Sequence, residues 1–164
     1  MRYCIVLACF MVLVNSCKKD DEVQRKFISF KLEGQVILAE NPIATFRPAN
    51  LTDDDPNNDF PTITIKGKGN RDEDLTFTLI SETAPFKTGT YLSTQRGNTM
   101  SVYYNDSSYA LVADDTQGYL SFELNSAKDS LFEARFTGLL ADSTGTIAIK
   151  PVTDGFVRAI LTSN

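Results

Sequence analysis

Residues 118–136 read GYLSFELNSAKDSLFEARF, and this stretch decides the fold class. Apolar and polar residues alternate across Leu120–Leu124 and again across Phe132–Phe136. Successive side chains of a β-strand point to opposite faces, so this alternation predicts two half-buried strands. Between them, Asp129-Ser130 favours a hairpin turn over the weak helical periodicity of Ser126–Phe136.

The same alternation extends along most of the remaining chain. It covers Ile63 and Ile65, Leu75–Leu79, and Ile147 and Ile149. Apolar, β-branched and aromatic residues predict further strands at Phe27–Leu32, Gln35–Ala39, Ala44–Arg47, Thr90–Ser93, Met100–Tyr104, Tyr109–Ala113 and Phe156–Leu161. Turn-forming residues separate the strands at Gly34, 66–70, Asn105-Asp106, Asp114-Asp115, 142–145 and Asp154-Gly155. We therefore expect an all-β domain, namely an antiparallel β-sandwich, with an up-and-down β-barrel as the alternative.

The N-terminal segment predicts export. Arg2 precedes an unbroken apolar run, Cys4–Val14, which suits a signal peptide and is shorter than the roughly 20 residues of a membrane-spanning helix. The motif Val14-Asn15-Ser16-Cys17 resembles a bacterial lipobox, whose cysteine is lipidated and becomes the first mature residue. The resemblance implies a signal peptide over residues 1–16 and a lipid anchor on Cys17. An ordinary signal peptide is the alternative, although the asparagine fits its small-x-small cleavage site poorly.

A short charged stretch, Lys18-Lys19-Asp20-Asp21-Glu22, follows the cysteine. It resembles the start of many Bacteroidota lipoproteins, in which acidic residues at this place are a signal for export to the cell surface. A solvated tether without an address is the alternative. We expect a lipidated cysteine and tether over residues 17–25 and a single β domain over residues 26–164. The expected location is the outer membrane, lipid-anchored and facing the cell surface, with a periplasmic orientation left open.

The composition argues against several classes of function. The net charge of −5 becomes −6 once Arg2 leaves with the signal peptide, so nucleic acid and anionic membrane surfaces are poor partners. The sequence has no histidine, which removes the usual general base and metal ligand. Cys4 and Cys9 lie in the predicted signal peptide and Cys17 would be a thioether. We therefore expect the mature domain to contain no disulfide and no thiolate site.

Carboxylate-only catalysis, as in glycosidases, is the remaining enzymatic alternative. Glu33, Glu82, Glu123 and Glu133 lie in or beside predicted strands. Strand alternation explains them as solvent-facing residues, and their sequence spacing does not give the distance between two carboxylates. We therefore expect no enzymatic activity and no cofactor.

An acidic loop is a candidate calcium site. Asp53, Asp55, Asn57 and Asp59 follow the first, third, fifth and seventh positions of a calcium-binding loop. An EF-hand would also need glycine at its sixth position and glutamate at its twelfth, where this chain has asparagine and threonine. A solvated loop is therefore favoured, with calcium as the alternative.

A tyrosine-rich turn is a candidate binding surface. Tyr103, Tyr104, Asn105, Asp106 and Tyr109 place phenols beside amide and carboxylate groups, a combination that contacts sugars or proteins. Adjacent residues of a strand face opposite sides, so one tyrosine of the first pair should point into the core. Packing in the core combined with an ordinary turn is the alternative.

Several motifs of the C-terminal half occur in a characteristic order. They are Thr88-Gly89-Thr90-Tyr91, residues 118–124, residues 132–138 and residues 152–156. With the lipobox, they resemble short, uncharacterised, lipid-anchored, β-rich lipoproteins of Bacteroidota, although Glu133–Phe136 stands where that family has Gly-Thr-Phe. The resemblance implies a secreted, lipid-anchored β domain and no known activity. We expect a non-catalytic binding or accessory lipoprotein with a glycan, nutrient or outer-membrane protein as partner; a structural envelope protein without a ligand is the alternative.

Overall fold

The computed structural model describes residues 25–56, 58–83, 85–95, 97–105, 109–128, 130–144 and 148–163. These residues form β-strands joined by turns and loops, and none of them belongs to a helix that could cross a membrane. The strands are β1 (Phe27–Leu32), β2 (Gln35–Glu40), β3 (Ile43–Arg47), β4 (Thr62–Lys68), β5 (Glu73–Ile80), β6 (Gly89–Leu92), β7 (Thr99–Tyr104), β8 (Ala110–Ala113), β9 (Tyr119–Lys128), β10 (Leu131–Asp142) and β11 (Lys150–Ser163). The all-β prediction is confirmed.

The strands form two layers. Sheet A has the order β2-β1-β11-β10-β9-β6, and sheet B has the order β3-β4-β5-β7-β8, both with antiparallel neighbours. The last residues of β11, Leu161–Ser163, pair in parallel with β3, and Ala141 and Asp142 of β10 pair with β8. These two segments lie at opposite ends of sheet A. The strands of sheet B therefore cross those of sheet A, as in orthogonal sandwiches whose corner strands belong to both sheets.

The pairings also form a closed circuit, β11-β3-β4-β5-β7-β8-β10, which gives the sandwich a barrel-like path. The order is not that of an up-and-down barrel, because β6 pairs with β9 and β1 pairs with β11. The parallel contact between β11 and β3 is the departure from a purely antiparallel sandwich.

Aromatic residues join the two layers at the centre of the core. The ring of Phe77 in β5 lies 4.9 Å from that of Phe136 in β10 and 5.8 Å from that of Phe122 in β9, measured between centroids. Phe30 of β1 adds a further contact to Phe136 at 5.7 Å. Each of these side chains is at most 2% exposed. Burial of one such side chain stabilises the fold by about 1.5–3 kcal/mol, so this cluster is a major source of stability.

The predicted strands agree with the structure except near residue 149. β1 has the predicted bounds, and β9, β10 and β11 extend beyond theirs. The turn predicted over 66–70 begins only after Lys68, where β4 ends. Ile149 lies outside a strand with 58% of its surface exposed, so the strand predicted there is wrong, and Ile147 lies outside the described residues.

The turn predicted at Asp154-Gly155 is also wrong, because these residues lie inside β11. The register between β11 and β1 shifts between Phe156 and Thr153, which marks a β-bulge, and Asp154 has a φ of 54°. β1 and β10 pair with β11 on both sides of this point. The extra residue therefore bends the strand locally and does not reverse the chain.

Candidate functional site: an apolar corner cleft

An apolar cleft opens at the end of sheet A where β10 begins and β11 ends. We call it the corner cleft, and its volume is about 270 Å³. It is lined by Phe46, Ile63, Pro85, Phe86, Ala127, Ser130, Leu161 and Ser163. Ligand sites are typically apolar recesses of about 300–1,000 Å³ with a few polar groups. The corner cleft therefore suits a small ligand or one chain of a larger one.

Strand pairing brings the walls of the cleft together. Phe46 in β3 lies opposite Ile63 in β4, and Ser163 at the end of β11 pairs with Phe46 from the other side. The backbone N–H of Leu161 donates to the carbonyl oxygen of Ser130 at 2.8 Å. This hydrogen bond holds the turn between β9 and β10 against β11, so the turn forms one side of the recess.

Two aromatic residues of the lining, Phe46 and Phe86, form the outer wall, and Tyr91 supports Phe86. Phe86 lies in the loop between β5 and β6, with its ring centroid 6.3 Å from Phe46 in an edge-to-face contact and 5.7 Å from Tyr91 in a stacked one. The Tyr91 hydroxyl donates to the carbonyl oxygen of Lys87 at 2.9 Å, which ties the loop to β6. Aromatic pairs of this kind contribute about 0.5–1.5 kcal/mol beyond their burial. All three side chains are partly buried against the core, so the wall is held in place while part of it faces solvent.

The described residues that line the cleft are apolar or neutral. None of the eight lining residues carries an ionisable side chain, and Ser130 and Ser163 contribute the hydroxyl groups. The lining therefore favours an apolar group with a neutral polar end.

Sequence reasoning did not single out this cleft. Tyr91 lies in the motif Thr88-Gly89-Thr90-Tyr91, whose resemblance implies no known activity, and Phe46 and Leu161 lie within predicted strands. The available signal was Pro85-Phe86, an apolar pair in a loop. Its significance depends on the meeting of β3, β9, β10 and β11 at one corner, which is a tertiary feature.

The tyrosine-rich turn does not form one continuous surface. Tyr103 points outward and is 40% exposed, whereas Tyr104 and Tyr109 pack against the core. One tyrosine of the adjacent pair thus faces inward, as strand alternation predicted. Asn105 follows β7 in a turn, and Asp106 lies outside the described residues. A binding role for this segment stays a prediction.

A buried glutamate and a lysine–glutamate ion pair lie away from the corner cleft. Glu73 at the start of β5 is fully buried, and its Oε2 accepts the backbone N–H of Arg71 at 2.9 Å, while Oε1 has no hydrogen-bond partner. Glu73 lies opposite Tyr104 in the ladder. Burial, together with the charge of Glu73, raises the pKa of the Tyr104 phenol. At the far end of sheet A, Lys150 Nζ donates to Glu33 Oε2 at 2.8 Å, and this hydrogen bond raises the pKa of Lys150.

The acidic loop is organised by its own side chains. The Asp53 carboxylate accepts hydrogen bonds from the backbone N–H of Asp55 and from Asn58 Nδ2, both at 3.1 Å. Within the described part of the chain, no three histidine, cysteine, aspartate or glutamate side chains group as metal ligands would, Asp59 included. Asn57 lies outside the described residues. The calcium hypothesis therefore rests on the sequence spacing.

The structure does not bring the four candidate glutamates together. Glu123 lies opposite Arg135 on the outer face of sheet A, and Glu133 on the same face forms an ion pair with Arg158. Glu33 is at the far end of that sheet with Lys150, and Glu82 is exposed in the loop after β5. Cys17 and the charged stretch 18–22 lie outside the described residues.

Comparison of the chain with protein-family models, with curated proteins and with solved structures gives no match in any of the three. Its function must therefore be inferred from the geometry of the cleft and from the N-terminal motifs.

Proposed function

We propose that this chain is a lipid-anchored protein of the outer membrane, facing the cell surface, that binds a ligand without converting it. The lipobox-like motif ending at Cys17 supports the anchor, and the acidic residues Asp20, Asp21 and Glu22 support surface exposure. The corner cleft is the observation that carries the binding role.

The cleft leaves apolar surface beside the core open to solvent. Core residues between the sheets are at most 4% exposed, whereas Phe46 and Phe86 at the corner are only partly covered. Leaving apolar surface in water costs about 25 cal/mol per Å². A purely structural domain would gain stability if larger side chains at Ala127 or Ser130 filled the recess. Retention of the recess favours a binding protein over a structural one.

The lining narrows the class of ligand. An apolar ring or chain with a neutral polar end matches the aromatic wall and the serine hydroxyls. A glycan presents many hydroxyl groups that would need polar partners when buried. The cleft thus favours an apolar nutrient or an apolar side chain of a protein partner over a glycan.

A cleft-filling variant tests this proposal. Ala127→Phe adds a ring inside the cleft, and Ser121→Phe adds the same ring on the outer face of sheet A as a matched control. Each lipidated protein is purified from detergent-solubilised envelope, and the molecules that copurify are identified by mass spectrometry. We expect wild type and Ser121→Phe to retain a ligand that Ala127→Phe loses, because the added ring occupies its volume. Equal retention by all three proteins would exclude the cleft, and retention of nothing by wild type would favour the structural alternative.

A further inference from the structure

We propose further that the corner cleft takes up one acyl chain of a membrane phospholipid, with the cleft end of the domain held against the bilayer. This inference rests on the proposed lipid anchor at Cys17, and it specifies the ligand class of the same cleft.

The start of the domain lies beside the cleft. Phe27 pairs with Arg158 in the antiparallel ladder of β1 and β11, so the chain before Phe27 runs toward Ile160 and Leu161. Leu161 is a wall of the cleft. The chain therefore enters sheet A at the end where the cleft lies.

The segment before the domain is short. Seven residues lie between Cys17 and Arg25, so the segment makes eight steps from one Cα to the other. Eight extended residues span at most about 29 Å, which is less than the thickness of a typical bilayer core. An anchored Cys17 thus keeps Arg25, just before β1 at the cleft end of sheet A, within about 29 Å of the membrane surface.

Exposed apolar side chains occur at this end of the domain, as Val36, Leu139 and Ile149 do at the far end. The loop over residues 48–61 joins β3 to β4 beside Phe46 and Ile63, and it exposes Leu51 by 77% and Phe60 by 39%. Ile160 of β11 is 40% exposed. Such side chains gain stability when they enter the boundary between lipid headgroups and acyl chains. A bilayer would cover them together with the mouth of the cleft.

The charges of the same loop bear on the headgroup of the lipid. Asp53, Asp54, Asp55 and Asp59 carry side chains in this loop, and carboxylates beside an anionic surface are repelled. None of the described residues that line the cleft offers a cation to a phosphate group, whereas the apolar walls match an acyl chain and the Ser130 hydroxyl matches an ester carbonyl. The arrangement fits a zwitterionic phospholipid whose headgroup stays outside the cleft.

Photocrosslinking tests the occupant. The full-length lipidated protein is placed in zwitterionic phospholipid vesicles that contain a lipid with a diazirine in its acyl chain, and adducts are mapped after illumination. We expect adducts on the walls of the cleft. Ala127→Phe should lower the yield about tenfold, which corresponds to about 1.4 kcal/mol. Leu161→Asp should do the same, while Val36→Asp, at an exposed apolar position at the far end, should not. Cooperative melting checks that each variant is folded.

A fluorescence measurement tests the orientation separately. Cys17 is the last cysteine of the sequence, so Leu51→Cys and Tyr119→Cys each introduce one reactive thiol into the mature domain. Both positions are exposed, one at the cleft end and one at the far end where β9 begins. With a fluorophore on each thiol, nitroxide-labelled lipids should quench the Leu51 position several-fold more.

The outcomes separate this inference from the proposed function. If wild type fails to attach to vesicles, the lipid anchor is wrong. Two results would leave the anchor in place and overturn this inference. One is equal quenching of both fluorophores in protein that attaches to vesicles. The other is a set of adducts that lie outside the cleft and are unchanged in Ala127→Phe. Adding anionic lipid should lower the adduct yield, and salt should restore it; an unchanged yield would contradict the choice of a zwitterionic lipid.

Discussion

Replacement of Phe136 by alanine should destabilise the domain more than any replacement on its surface. The ring is 2% exposed and contacts Phe77 across the two sheets and Phe122 and Phe30 within sheet A, at centroid distances of 4.9, 5.8 and 5.7 Å. Removal of a core phenylalanine costs about 3–5 kcal/mol. Loss of three aromatic pairs, each worth about 0.5–1.5 kcal/mol, places Phe136→Ala at the upper end of that range.

Urea unfolding of the domain from Arg25 onward, followed by circular dichroism, measures the loss. With a slope of about 2 kcal/mol per molar urea, a loss of 5 kcal/mol lowers the midpoint by about 2.5 M. Phe27→Ala is the control, because Phe27 is half-buried on the outer face and contacts Phe156 at 5.4 Å. It should cost about 1 kcal/mol. Similar losses for the two variants would refute a core in which Phe136 joins the two sheets.

Four further results are expected. Gly155→Ala should cost about 1–3 kcal/mol in the same urea assay, because a Cβ there would lie 2.3 Å from the carbonyl oxygen of Phe136. Wild type should lose stability as pH rises above about 10, since the raised pKa of Tyr104 favours the folded state only while the phenol is protonated. Tyr104→Phe should weaken that alkaline loss in a pH series of thermal midpoints. Cys17→Ala should abolish incorporation of labelled fatty acid, and continued labelling would exclude this cysteine as the anchor. Millimolar calcium should leave the melting midpoint unchanged, whereas binding at 100 times the dissociation constant would add about 2.7 kcal/mol that Asp53→Ala removes.

The strands were predictable because their signal is local. Alternation in Leu75–Leu79, Leu120–Leu124 and Phe132–Phe136 depends only on which side of one strand faces the core. Each of these segments lies inside a strand, with its apolar residues buried. Local sequence was sufficient for the fold class.

The bulge in β11 was not predictable from the same kind of signal. Asp154-Gly155 has the composition of a reverse turn, and only the pairing of β11 with β1 and β10 on both sides keeps the strand continuous. At Ile149 the sequence predicts a strand where the structure has none. The apolar character of this residue favours a strand, but β11 begins only at Lys150, opposite Leu140.

The candidate cleft was unpredictable because its walls come from distant parts of the chain. Phe46, Phe86, Ala127 and Leu161 meet only after β11 crosses from sheet A to sheet B. The tyrosine-rich turn shows that neighbours in sequence need not form one surface. Tyr103 and Tyr104 are adjacent, yet they face opposite sides of β7.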